Sequence, residues 1–158
     1  MLRVPLRRLS YTKLGDGNGT PVIMCHGLLG NKNNFNNIGK MMSYLTDRPV
    51  FTMDMLNHGS AAWTQNGGYE FMAEEVKKAI EEVCGGKAVV LGHSMGGRVA
   101  MWTALTNPDL VENLMIVDVT ANNWVRVQNT PEIFCERQKI FRHFCQNSLK
   151  KSIFLTIR

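Results

Sequence analysis

Four short, mostly apolar runs recur along the chain, and Gly-rich, polar or helical segments separate them. The runs cover residues 21–25, 50–55, 87–91 and 114–119. Continuous apolar runs of four to eight residues are typical of strands that are buried on both faces of a parallel sheet. A more polar strand is predicted before them, over 9–14, and the Asn-rich stretch 31–37 predicts a turn.

Two segments have the periodicity of helices. Within residues 69–83, four apolar side chains share one face while most charged ones lie elsewhere: Met72, Val76, Ile80 and Val83. This pattern predicts an amphipathic helix. A second helix is predicted after Ser94, because Gly96, Ala100 and Ala104 form a small-residue stripe that fits closely against a sheet. Pro108 predicts its end. Strands that alternate with helices predict an α/β fold with a doubly wound, mostly parallel sheet.

Composition and cysteine spacing narrow the class of protein. At 158 residues and 44% hydrophobic content, the chain is long enough for one packed domain. No apolar run approaches the 18 residues or so of a transmembrane helix, so none is predicted. The cysteines lack metal-ligand spacing and predict neither a zinc site nor a disulfide framework; they are Cys25, Cys84, Cys135 and Cys145.

The net charge of +5 is concentrated at the two ends of the sequence. Residues 1–15 and 137–158 contain basic residues and no acids, whereas residues 16–136 hold all 13 acids. A basic groove across the core is therefore not expected, and we predict no nucleic-acid partner; binding of nucleic acid or anionic membranes by the ends is the least favoured hypothesis. The Arg-rich, acid-free start is typical of a mitochondrial transit peptide, but it is short and runs straight into the predicted strand 9–14, so these residues leave both a mitochondrial and a cytoplasmic location open.

The strongest chemical signal is the G-x-S-x-G pattern around Ser94. It follows the predicted strand 87–91 directly and precedes a predicted helix, which is the arrangement of a nucleophile elbow. Because a serine hydroxyl is a weak nucleophile, enzymes hold it on a tight corner where a base and backbone N–H groups can reach the reacting atoms. Gly92 and Gly96 allow such a corner to close. Ser94 is the predicted catalytic nucleophile.

A second chemical element, the segment His26-Gly27-Leu28-Leu29-Gly30, follows the first predicted parallel strand. Acyl transfer needs two backbone N–H donors aimed at one oxygen, one after the nucleophile and one in the loop after this strand. Met95 and Leu28 are the candidates for this oxyanion hole. We expect His26 to brace the loop by hydrogen bonding rather than to act as a base.

These motifs, together with 54–60 and 117–119, resemble the α/β-hydrolase fold superfamily, and more narrowly an esterase-like subgroup with mitochondrial and bacterial members. The resemblance covers residues 9–140. It implies a serine hydrolase with a Ser/Asp/His triad that acts on small ester, thioester or related acyl substrates. No metal and no cofactor is expected, because water completes the reaction.

The second motif of the subgroup is modified in this chain. The resemblance leads us to expect an arginine two residues after Asp54 and an acid after Gly59, where this chain has Leu56 and Ser60. We interpret the segment as a structural turn. Asp54 and His58 are accordingly expected to stabilise the turn and not to take part in catalysis.

Asp118 is the candidate triad acid, because it ends a strand at the carboxyl edge of the sheet, where functional residues collect. An equally weighted alternative is that it caps the turn over 120–123. By resemblance, the triad acid can also come from the next strand. His143 is the histidine that follows Ser94 in the sequence. It lies in a predicted helix that resembles the first helix of a cap, so we do not expect it to be the triad base, and we expect a catalytic role of His93 still less.

By resemblance, the last two strands, the final helix and the triad histidine are therefore expected to be missing. Residues 1–125 are predicted to form the N-terminal part of the core and 126–158 the start of the cap. The edge of strand 114–119 would then be exposed and favour self-association. Two functions follow as hypotheses: a serine esterase or thioesterase, and a catalytically inactive hydrolase fold that serves as a binding or regulatory module.

Overall fold

The computed structural model describes residues 9–65 and 67–119. Five strands, three α-helices and one short helix make up this part of the chain. The strands are β1 (Tyr11–Leu14), β2 (Val22–Cys25), β3 (Val50–Met53), β4 (Ala88–His93) and β5 (Val111–Val117). The α-helices are α1 (Asn36–Thr46), α2 (Tyr69–Val83) and α3 (Met95–Thr106), and a 3₁₀ helix over Lys32–Phe35 leads into α1.

The strands form one mostly parallel sheet in the order β1-β3-β2-β4-β5. Only β1 runs antiparallel to its neighbour among these strands. In the register, Cys25 pairs with Gly92, and Gly92 pairs with Ile116. The segments that follow β2, β4 and β5 therefore leave the sheet side by side at its carboxyl edge, where α/β proteins build their sites.

Side chains alternate between two cores on opposite faces of the sheet. In β2, Ile23 and Cys25 face α2 and α3, whereas Val22 and Met24 face the side of α1. Both pairs are buried, which explains why this strand is apolar at every position. The doubly wound α/β class predicted from the sequence is confirmed.

The small-residue stripe of α3 is fully buried, as its pattern predicts, and the helix ends at Thr106, two residues before Pro108. The bounds of α2 agree with the predicted 69–83.

The prediction of a turn over 31–37 was wrong in part. Asn31 caps the 3₁₀ helix and accepts a hydrogen bond from the N–H of Asn33 at 3.0 Å, so this stretch starts a helical segment.

Several predictions fall beyond the described residues. The domain boundary at 125, the cap segment 126–158 and His143 all lie there.

β5 starts three residues earlier than expected, at Val111, and is hydrogen-bonded to one described strand, β4. No helix within residues 9–65 and 67–119 has the length and hydropathy needed to cross a membrane.

Candidate active site

Ser94 occupies the corner between β4 and α3 in a strained backbone conformation. Its φ of 50° and ψ of −111° lie in a region that residues with a side chain rarely adopt. Such a conformation costs about 1–3 kcal/mol and persists where the surrounding structure enforces it. The N–H of Ser94 donates to the carbonyl of Val117 in β5 at 2.9 Å, so the neighbouring strand holds the corner in place.

Glycines around Ser94 are required by close backbone approach. A Cβ at Gly92 would overlap the carbonyl group of Gly96 one turn later. A Cβ at Gly96 would overlap the carbonyl of Cys25 and lie 2.6 Å from the carbonyl oxygen of His26. The G-x-S-x-G spacing therefore has a steric origin: it lets α3 begin directly over the end of β2.

The two candidate oxyanion donors lie at the ends of neighbouring elements. Met95 is the first residue of α3, where backbone N–H groups have no intrahelical acceptor. Leu28 is the second residue of a β-turn that the Gly30 N–H closes on the Gly27 carbonyl at 3.0 Å. Neither N–H is paired with an acceptor from the described residues. Gly27 brings the turn close, because a Cβ there would be 3.5 Å from the Cβ of Ser94.

His26 uses both ring nitrogens in hydrogen bonds and is 1% exposed. Its Nδ1 lies 2.8 Å from the carbonyl of Gly27, and its Nε2 accepts from the N–H of Met55 at 3.0 Å. These partners assign the proton to Nδ1. Burial lowers the pKa of His26 below its ordinary value, with a smaller contribution from the nearby His58 ring. The expectation that His26 braces the loop is confirmed.

Asp54 is buried in the turn after β3 and accepts hydrogen bonds from three residues. Lys32 donates to it twice, from its backbone N–H at 2.7 Å and from Nζ at 2.6 Å. The Ser60 N–H and the Ser10 hydroxyl complete the set at 3.0 and 2.8 Å. Burial alone would raise the pKa of Asp54, but these donors outweigh it and lower the pKa to about 2. Asp54 stabilises the turn, as expected.

The ring of His58 packs against that of His26 with centroids 5.1 Å apart, and its Nδ1 lies 3.0 Å from the Leu56 carbonyl. One of these contacts lies within the turn, and the other joins the turn to the loop after β2. Lys32, by contrast, is a site residue that sequence reasoning missed. Twenty-two positions separate it from Asp54. A single lysine in an Asn-rich stretch belongs to no motif that would indicate a contact with this aspartate.

Asp118 lies directly after β5, and its carboxylate faces His93. Asp118 Oδ2 is 3.7 Å from His93 Nε2, and the two side chains are 75% and 42% exposed. Asp118 also has a positive φ of 54°. The structure thus brings the candidate acid next to the residue before the nucleophile. Its role as triad acid stays a prediction, and His143, which we do not expect to be the base, lies outside the described residues.

An open cleft of about 440 Å³ lies between the loop after β2 and the elbow. His93, Phe35, Asn34 and the segment 26–30 line it. Leu28 and Leu29 stand at its rim with 69% and 89% of their surface exposed. The cleft is large enough for a short acyl group, and its lining includes His93, the residue before Ser94.

No group of three metal-ligating side chains exists within residues 9–65 and 67–119. Cys25 and Cys84 are free and buried. Burial raises the pKa of each thiol to about 12, so neither is an activated nucleophile.

Comparisons with known proteins agree with the fold. A family model described as alpha/beta hydrolase fold matches residues 20–133. The sn-1-specific diacylglycerol lipase ABHD11 of Danio rerio is 42% identical over 106 residues, which are 67% of this chain and 33% of that protein. A probable alcohol acetyltransferase of Saccharomyces cerevisiae is 41% identical over 101 residues, which are 62% of this chain and 30% of that protein.

Among solved structures, a marine microorganism esterase is 30% identical, with a TM-score of 0.67. The match covers 84% of this chain and 49% of that one. The chain spans about a third of the length of the two curated relatives.

Proposed function

The chain belongs to the α/β-hydrolase family, and from this premise we propose that it is a serine hydrolase of the esterase or thioesterase type. Ser94 is the nucleophile, and the N–H groups of Leu28 and Met95 form the oxyanion hole. The substrate is a small acyl ester or thioester, bound in the cleft beside the elbow.

The reaction proceeds through an acyl-serine. The Ser94 Oγ forms a bond to the carbonyl carbon while its proton passes to a base, and the N–H groups of Leu28 and Met95 stabilise the oxyanion. The C–O or C–S bond to the leaving group then breaks, and the base returns the proton to it. Water attacks the acyl-serine in the same way and releases the acid. Asp118 is the proposed acid that orients the basic histidine.

The single observation that carries this proposal is the backbone of Ser94. A surface serine in an ordinary strand-to-helix turn has no need of a φ of 50° with a ψ of −111°. Here the corner lies between Gly92 and Gly96, where close backbone approach leaves no room for a Cβ, and Ser94 directly precedes Met95, whose N–H has no acceptor among the described residues. Strain of this kind collects at functional sites.

The named relatives support the acyl-transfer chemistry at a coarse level. One is described as a diacylglycerol lipase, another as a probable alcohol acetyltransferase and a third as an esterase. A lipase or esterase passes the acyl group to water, whereas an alcohol acetyltransferase passes it to an alcohol. The acyl acceptor is therefore the property to test alongside hydrolysis.

We test the proposal by hydrolysis of p-nitrophenyl esters of increasing acyl length, with and without ethanol as a second acceptor. Ser94→Ala is expected to lose all turnover above background, whereas Ser60→Ala, which changes an exposed residue and keeps the backbone donor to Asp54, retains it. Ethyl ester formed in the presence of ethanol indicates transfer as well as hydrolysis. Equal activity of Ser94→Ala and wild type would contradict the proposal.

Self-association through β5 is proposed as a second property of the fold. Within the described residues β5 pairs on one side only, and Leu114 and Ile116 on it belong to the core. An unpaired strand edge favours pairing with another chain. Sedimentation that depends on concentration supports this, and a monomer at all concentrations contradicts it.

A mitochondrial location stays a prediction, which imaging of a C-terminally tagged chain tests.

A further inference from the structure

The β-turn that carries Leu28 is anchored at both ends on two consecutive residues, Asp54 and Met55. We propose that these anchors form a clamp that positions the Leu28 N–H for the oxyanion, with His26 and Lys32 as positioning residues. This inference rests on the proposed function, because the oxyanion role of Leu28 belongs to that proposal.

The first anchor holds the start of the turn. The Met55 N–H donates to Nε2 of His26 at 3.0 Å, and Nδ1 of the same ring donates to the Gly27 carbonyl at 2.8 Å. One buried ring thus connects the segment after β3 to the residue immediately before Leu28. Both bonds require the neutral ring with the proton on Nδ1.

The second anchor holds the segment after the turn. The Lys32 N–H donates to Oδ1 of Asp54 at 2.7 Å, and Lys32 Nζ donates to Oδ2 at 2.6 Å. The Asp54 side chain is 1% exposed and that of Lys32 is 20% exposed. A charged hydrogen bond shielded from water is stronger and better oriented than one on the surface. The chain is therefore fixed again four residues after Leu28.

Between the two anchors the turn has little support of its own. Leu28 and Leu29 are mostly exposed, and Leu29 has a positive φ of 61°, which is unfavourable for leucine. The Gly30–Gly27 hydrogen bond is the one backbone bond that closes the turn. A strained, exposed turn keeps its geometry only if its ends are held. Loss of either anchor should therefore move the Leu28 N–H more than it disturbs the core.

Two pairs of variants separate positioning from general stability. His26→Asn can still donate to Gly27 but does not reach the Met55 N–H, whereas the longer amide of His26→Gln places an acceptor near the position of Nε2. Lys32→Met removes the ammonium and keeps the aliphatic stem. Its matched control is Lys13→Met, which removes a lysine from an exposed ion pair with Asp16.

We measure hydrogen exchange by mass spectrometry and the kinetics of p-nitrophenyl acetate hydrolysis on the full chain. In His26→Asn and Lys32→Met, the hydrogen-bonded amides of Gly30 and Lys32 are expected to exchange about tenfold faster, while peptides from β4 and α3 keep wild-type protection. The kcat should fall by about tenfold to a hundredfold with KM within about twofold, because an oxyanion donor acts in the transition state. His26→Gln should recover most of both losses, and Lys13→Met should match wild type.

Unchanged exchange over 26–32 in both variants would overturn the clamp, as would equal acceleration across the core, which is the mark of general unfolding. Faster local exchange with an unchanged kcat would overturn the positioning role. If the wild-type chain has no esterase activity, the proposed function fails and the oxyanion role of Leu28 with it. In that case the exchange data still decide whether His26 and Lys32 hold the turn.

Discussion

Protonation of the buried Asp54 carboxylate is coupled to folding, and Asp54→Asn isolates that coupling. In the folded chain, burial raises the pKa of Asp54, but the hydrogen bonds from Lys32, Ser60 and Ser10 outweigh burial and lower the pKa from 3.8 to about 2. The unfolded chain therefore binds this proton more tightly than the folded one, and acid favours unfolding.

The two pKa values set the size of the effect. A shift from 3.8 to about 2 corresponds to roughly 2.5 kcal/mol of folding free energy, fully present above about pH 5. This contribution decreases as the pH falls below the unfolded-state value, and about 2 kcal/mol of it is lost by about pH 2. The remainder disappears below the folded-state pKa. An amide does not titrate, so Asp54→Asn lacks the whole component.

The assay is urea denaturation followed by circular dichroism, for wild type and Asp54→Asn, between about pH 6 and about pH 2. Other carboxylates titrate in both proteins, so the informative quantity is the difference between the two unfolding free energies. We expect wild type to be the more stable protein at pH 6 and the difference to shrink by about 2 kcal/mol by pH 2. Asp16→Asn, which removes a side chain that is 90% exposed, should stay within about 0.5 kcal/mol of wild type at pH 6.

A constant difference between wild type and Asp54→Asn across this pH range would contradict this coupling between protonation and folding. It would mean that the ion pair with Lys32 and the three other hydrogen bonds do not favour the ionised carboxylate in the fold. The buried anchor of the clamp would then lack its electrostatic basis.

Three further predictions follow from the structure. Gly96→Ala should lower the free energy of unfolding by about 3 kcal/mol in urea, because its Cβ meets the backbone of β2; a loss below about 1 kcal/mol would show that α3 can move away freely. The pKa of His26, measured by NMR, should lie below 6.5 because of burial. The neutral ring therefore contributes fully to the free energy of unfolding above about pH 6.5, and this contribution declines as the pH falls towards the pKa of the folded chain. A pKa above 6.5 would contradict the assigned hydrogen bonds. Iodoacetamide at neutral pH should leave Cys25 and Cys84 unmodified until the chain unfolds, because burial raises the pKa of each thiol to about 12. Peptide mapping measures the modification, and rapid modification of either cysteine in the folded protein would contradict this prediction.

Local geometry explains which parts of the fold could be predicted from the sequence. The elbow is a local structure, because Gly92, Ser94 and Gly96 lie within one turn and their steric requirement is written directly in the residue types. The strands of the parallel sheet were predictable because two buried faces require apolar residues at every position. Helix α2 was predictable because one of its faces is buried and the other is not.

Helix α1 was missed because it shows the opposite of the expected pattern. Its buried residues are Gly39 and Ser43, while Ile38, Met41 and Tyr44 are exposed. Asparagine is favoured both in turns and at helix N-caps, so the Asn-rich stretch alone did not distinguish the two. The Asn31 cap became apparent from the structure.

The clamp could not be predicted, because its partners are brought together by the sheet. Lys32 reaches Asp54 only because β2 and β3 are parallel neighbours whose following segments meet at one edge. Similarly, the contact between His93 and Asp118 depends on the pairing of β4 with β5. Pairings of this kind depend on topology, which residue spacing does not encode.

The most direct test of the account is the reaction of the chain with a fluorophosphonate, followed by mass spectrometry of the modified peptide. We expect one phosphonyl group, attached to Ser94, with no adduct in Ser94→Ala and full labelling in Ser60→Ala. Folded wild-type protein that remains unmodified at Ser94, or that is labelled equally in Ser94→Ala, would contradict the assignment of Ser94 as the nucleophile.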